Sequence, residues 1–338
     1  MNEKVSSQRI LWIDGAKGIA ILLVVLAHVW RGLHDAGMLD WNAAYATADF
    51  TIYAFHMPAF FLLAGLTTPH SLRKGAPGFL RSKVVTVAYP YFLWSLIQGL
   101  IMVALARITN GKVSLSDLLA IPYRPMAQFW FLYTLFVFQV AIAVFKPRVL
   151  LALSIVCFVA TQFLFKYDTT LFNIGHFALF FAAGAALSDQ LLVIPTRVSV
   201  WIAAAAFALL AIAYHFTTLY YLNIAVLPLA LAGCLLVASS AVTAAPKAIG
   251  PTLGKLGQYS MSIYVMHIMA ASGMRIALRK AGLPPYGEIY LVAGTLAGIL
   301  LPIAGHAVLA RANLLWLFGL GKRRKASHAQ TETLAIQS

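Results

Sequence analysis

Asp14, Lys17, His28 and Asp35 share one face of a segment, Ile10 to Asp35, that is otherwise long and apolar enough to cross a bilayer. An α-helix advances about 100° per residue, so Lys17 and His28 return to azimuths ~20° apart, with Asp14 about 40° to one side of His28 and Asp35 about 20° to the other. Along the axis, Lys17 and His28 lie roughly 16 Å apart, about half the hydrocarbon thickness. A charge at that depth costs at least ~2.5 kcal/mol, so ionisable groups within a span are functional by default. An ammonium suits the binding of anionic groups. An imidazole suits a general base or a group that carries an acyl unit. The bland alternative is that Asp14 and Lys17, three residues apart, neutralise each other at the membrane edge.

Four further groups are candidates. His56 precedes Met57 and Pro58 inside an apolar run, where proline removes a helix hydrogen bond and bends the chain beside a polar side chain. The basic stretch Ser71 to Lys83 carries Arg73, Lys74, Arg81 and Lys83, enough positive charge to hold phosphates or to anchor a loop at the inner membrane face. Trp130, in Gln128 to Tyr133, opens another span, where aromatics form an interfacial belt by default and also make stacking platforms for sugars. His176 reads as structural. Ser260, Tyr264 and His267 follow i, i+4, i+7 spacing and share a helix face. Ser260 and His267 are ~10 Å apart on that helix, too far for a nucleophile–base pair. The sequence has no GxSxG, HExxH, phosphate-loop or dinucleotide-binding pattern, and no metal-ligand spacing.

The elements that must position these residues are membrane helices. Of 338 residues, 61% are hydrophobic and only 10% charged, and the mean hydropathy is +0.83. A water-soluble domain cannot cover its surface with so little polarity. Apolar windows fall near 12–33, 48–68, 84–106, 127–145, 148–165, 171–188, 198–215, 220–242, 257–278 and 289–312. They predict an all-α, polytopic bundle of about ten transmembrane helices. The net charge of +15 comes from Lys and Arg in short connecting loops. Positive-inside placement explains that better than a nucleic-acid partner and sets both termini in the cytoplasm. The first apolar run, interrupted by Asp14 and Lys17 with no small-x-small site after it, reads as an uncleaved span. Cys157 and Cys234 lie in apolar runs and read as packing residues. The expected organisation is one membrane domain over 1–320 and a disordered basic and polar cytoplasmic tail over 321–338. A secondary transporter with intramembrane Asp, Lys and His is the alternative from another class, although no repeat with broken helices in matching halves is visible.

Trp12-Ile13-Asp14 with Ala16-Lys17-Gly18 and then His28 resembles the signature of the membrane acyltransferase-3 family, a basic residue, ten residues and a histidine in the first span. The opening is most similar to the branch named after fucose 4-O-acetylase. His56-Met57-Pro58 with Phe60-Phe61 and Gly65, then Trp130-Phe131-Leu132, then Leu256-Gly257 with Ser260, Tyr264 and His267, match in order along the chain. The resemblance implies transfer of an acyl group, usually acetyl, from cytoplasmic acyl-coenzyme A to a hydroxyl of a cell-envelope or exported glycan, or of its lipid-linked precursor. Acyl-CoA is then a substrate, and no cofactor is permanently held. By position, His28 would be the catalytic histidine and Lys17 its basic partner. Asp14, Arg73, Lys74, Arg81 and Lys83 would help to bind the donor, and His56, Trp130, Ser260, Tyr264 and His267 would line the pocket. The family's Arg-x-x-Arg pair falls on Lys83 and Thr86, a departure from the pattern. The resemblance further implies a multi-pass protein of the bacterial inner membrane; a succinyl or longer acyl donor is the alternative within the enzyme class.

Overall fold

The computed structural model describes residues 2–40, 42–73, 75–105, 113–167 and 169–321. Lys74 and the stretch 322–338, which holds nearly all of the expected tail, lie outside the described residues.

The described chain is helical and has no strand. In a bilayer each backbone N–H and C=O must find its partner inside its own segment, and only a helix does this for a lone run of apolar residues. Helix α1 spans Asn2–Asp35 and α2 Ala43–Leu72. Helix α3 runs Ala76–Ala104, with a π-helical turn at Val84–Ala88. There follow α4 (Ala127–Val144), α5 (Pro147–Leu164), α6 (Thr170–Ala186), α7 (Val200–His215) and α8 (Ile224–Ala244). The last three are α9 (Gly250–Gln258), α10 (Ser260–Lys280) and α11 (Gly287–Arg311). Caps mark several starts. Asn42 accepts from the Tyr45 amide at 2.9 Å, and Thr169 accepts from that of Phe172 at 3.3 Å.

All ten apolar windows fold as helices, and eight of the helices are long and apolar enough to cross a membrane unaided. The other two windows are α6 and α7. Helix α6 meets the length criterion only together with the segment Ser188–Arg197, from which it is bent by 83°. Helix α7 has 16 residues, about 24 Å at 1.5 Å per residue, short of a ~30 Å core. The basic stretch also differs from the expected loop. Arg73 caps α2, whereas Arg81 and Lys83 already lie in α3, because Pro77 at its start favours helix initiation. Pro58 sits inside an uninterrupted α2.

Helix α1 is the centre of the bundle, packing against α2, α8, α9, α10 and α11. Lipid gives no hydrophobic drive for helix pairing, so close backbone approach must supply it. Glycines make that approach possible. A methyl group at Gly18 would collide with the Leu253 carbonyl, and one at Gly257 with the Asp14 carbonyl, so α1 and α9 touch backbone to backbone. Gly65 and Gly184 do the same for α2 and α6. The core is aromatic, with Phe177 stacked on Phe61 and on Trp130, at 5.1 and 5.2 Å between ring centres.

Candidate active site

Three histidines from three helices meet beside α1. The His28 ring lies edge-on to that of His267 on α10, 5.1 Å between centres. Tyr53 bridges to α2, its ring 6.3 Å from His28 and 4.7 Å from His56. Each histidine turns Nδ1 onto a backbone carbonyl of its own helix. His28 bonds Val24 at 2.8 Å, His56 bonds Ile52 at 2.8 Å, and His267 bonds Tyr264 at 2.8 Å. A carbonyl only accepts, so in the neutral ring each Nδ1 carries the hydrogen and each Nε2 is left with a lone pair. For His56 and His267 that Nε2 is buried and has no partner among the described residues.

These rings line a cavity of about 580 Å³. Its wall is aromatic at Tyr53, Trp130, Phe177, Tyr221 and Tyr264, and polar at Gln98, Gln128 and Asn173. Gln98 and Gln128 pair their amides, with donor–acceptor distances of 3.2 and 2.7 Å. The Tyr264 hydroxyl donates to the Gln128 carbonyl and so ties α10 to the turn that opens α4. That turn includes Ala127 at φ 45°, a conformation unusual for a residue with a side chain and one that clusters at functional sites. The Asn173 side-chain oxygen is buried without a partner among the described residues. The cavity thus presents lone pairs on an aromatic surface, an environment suited to a ligand rich in O–H donors.

The expected site residues divide into two groups. His28, His56, Trp130, Tyr264 and His267 line the cavity, as does Asp35 of the polar stripe, and Ser260, first residue of α10 and one turn before Tyr264, does not. Asp14 and Lys17 stay together at the other end of the stripe, with Nζ 3.5 Å from Oδ1, and do not line the cavity either. Lys83 feels the charge of Lys17 and places its ammonium 5.2 Å from the Phe79 ring centre, so these two cations share a region. Arg73 and Arg81 are exposed. Between the two groups the stripe is not an open channel. Ile21 and Val24, on the same face of α1, are 0% and 1% exposed. Nor is Gln128 to Tyr133 an interfacial belt, because Gln128, Phe129 and Leu132 are buried in the bundle. His176 stacks on Phe172 away from the cavity, a structural role.

Sequence reasoning missed several cavity residues. Gln98, Asn173 and Arg275 line it, and Arg275 donates to the Gly32 carbonyl at 2.9 Å. Arg31 also lines it and pairs with the buried Asp49. Asp49 was the available signal, as an acid within an apolar window. Ser262, rather than Ser260, has a histidine partner, His306 Nδ1 at 2.7 Å.

A family model described as an acyltransferase domain, that of the acyltransferase-3 family, matches residues 10–308. No curated protein and no solved structure matches the chain.

Proposed function

Because the chain belongs to the acyltransferase-3 family of multi-pass membrane proteins, we propose that it is an O-acetyltransferase moving acetyl from cytoplasmic acetyl-CoA to a hydroxyl of a cell-envelope glycan or its lipid-linked precursor. In this reading it sits in a bacterial cytoplasmic membrane with both termini inside. The 16-residue α7 then counts as a crossing, which keeps the number of passes even. The observation that carries the proposal is the state of His28, whose Nδ1 is tied to the Val24 carbonyl and whose ring borders the cavity. Nε2 is then the base. It takes the proton of an acceptor hydroxyl, and the oxygen attacks the thioester carbonyl. As the new C–O bond forms, the C–S bond breaks, and the proton passes from the imidazolium to the leaving thiolate. His56 Nε2, His267 Nε2 and Asn173 Oδ1 accept from other hydroxyls of the sugar, while Trp130 and Tyr221 offer it flat faces. Lys17 and Lys83 bind the donor's phosphates at the inner end. The acyl-bearing arm passes the Ile21 and Val24 layer to reach His28, which requires that layer to part.

Inverted membrane vesicles supplied with labelled acetyl-CoA test this. The expected result is label in O-acetylated glycan, released by mild base, from vesicles with the protein and not from vesicles with an equal amount of inserted His28→Ala. Equal labelling by both, or none by either, overturns the proposal.

A further inference from the structure

Arg31 lies three residues beyond His28 on α1, so their side chains are neighbours on the helix surface. Its guanidinium is fixed more firmly than that of Arg275, the other arginine bordering the cavity among the described residues. Nε donates to Asp49 Oδ1 at 2.8 Å and Nη2 to Asp49 Oδ2 at 2.7 Å. Asp49 itself is only 8% exposed. The guanidinium carbon lies over the Tyr53 ring, 3.2 Å from its centre, with the Tyr221 ring centre 5.5 Å away. A guanidinium has five N–H groups, and Asp49 takes two of them. Nη1 has no partner among the described residues, and Arg31 borders the cavity. A bilayer tolerates such an ion pair at a cost, and joining α1 to α2 does not need the cation to face the site.

We propose that Arg31 is a catalytic residue, with Nη1 donating to the carbonyl oxygen of the acyl thioester and stabilising the negative charge that develops there. The inference rests on the transferase reading above. While His28 Nε2 takes the acceptor's proton, the carbonyl π electrons move onto oxygen and Arg31 holds that oxyanion. They return when the C–S bond breaks, and the thiolate leaves with the proton from His28. Donors of fixed direction and permanent charge act best here, because nothing need reorganise as the charge appears. Asp49 and Tyr53 are positioning residues. Asp49 selects which edge of the guanidinium is free, and Tyr53 sets its plane. Arg275 spends an N–H on the Gly32 carbonyl and has no such clamp among the described residues.

The test uses the full-length protein in inverted vesicles with labelled acetyl-CoA and the vesicles' own glycan as acceptor. At saturating acetyl-CoA, Arg31→Ala is expected to lower turnover by about 10²–10³-fold with KM for acetyl-CoA changed less than about threefold. Added guanidinium ion restores part of that turnover. Arg31→Lys recovers little, since an ammonium cannot keep both the Asp49 fork and a free edge. Asp49→Asn lowers turnover by roughly tenfold through loss of orientation. The inference is overturned if Arg31→Ala turns over like the parent, or if its defect lies in KM or in the amount of folded protein and guanidinium does not restore it. The pair is then a structural tie. Failure of the parent protein to transfer any label removes the transferase reading itself, whereas an active parent with an indifferent Arg31→Ala removes only this inference.

Discussion

The imidazoles of His28 and His267 meet edge-on with centres 5.1 Å apart, and both point Nδ1 at carbonyls of their own helices. Neither ring can rotate without giving up that bond, so the lone pairs on Nε2 are held in place. His28→Ala is expected to lower acetyl transfer by ~10²–10⁴-fold, the range that a positioned base supplies. Transfer assays with protein quantified in the membrane check this. His28→Gln should be nearly as inactive, because an amide has no useful basicity. A glutamine variant within about tenfold of the parent would remove the imidazole from the chemistry.

Lys17 predicts a different kinetic signature. Its ammonium is three residues from Asp14 and within electrostatic reach of Lys83, well away from the cavity. Lys17→Ala should therefore raise KM for acetyl-CoA by about tenfold while turnover at saturation stays within ~threefold, as when ground state and transition state are weakened by the same amount. Lys17→Arg should keep most of the affinity. Loss of turnover alone, with KM unchanged, would contradict the donor-binding role.

The α1–α9 seam gives a stability test on a single helix. Gly257→Ala pushes a methyl group into the Asp14 carbonyl, whereas the same change at Gly254 meets open space. The first should destabilise by ~1–3 kcal/mol. The second should be neutral or stabilise by up to about 1 kcal/mol through helix propensity. Thermal unfolding of the detergent-solubilised variants compares them, and equal melting temperatures would count against the seam.

Tyr264→Phe removes one of the two donors to the Gln128 carbonyl and leaves it the Trp130 amide, at a cost of about 0.5–1.5 kcal/mol. It also releases the turn that carries Ala127 and Gln128. A lower melting temperature together with weaker transfer is expected. An unchanged melting temperature would mean that the turn holds itself.

Helix content, the apolar windows and the face shared by Lys17 and His28 were legible because each is local to one segment. The convergence of His56, Trp130, Tyr264 and His267 on one cavity rested on the family pattern, since periodicity says which face of a helix is polar and not which helix it meets. The Arg31–Asp49 pair joins residues 18 apart on separate helices. Arg31 lies in the same segment as His28, but helix spacing alone does not say which residue of another helix it meets. The boundary of α3 was misplaced because the basic residues Arg81 and Lys83 look like loop while forming its first turns. The buried state of Ile21 and Val24 depends on packing against neighbours and has no signature in the spacing of the polar stripe.

Those two side chains also bear on the voltage the cell keeps across its membrane. A water-filled shaft from Lys17 to His28 would conduct protons down a field worth about 2.3 kcal/mol per charge at 100 mV. Ile21 and Val24, buried between them, leave no such shaft along this face of α1 among the described residues. Vesicles carrying the protein should therefore hold a pH gradient as long as empty ones.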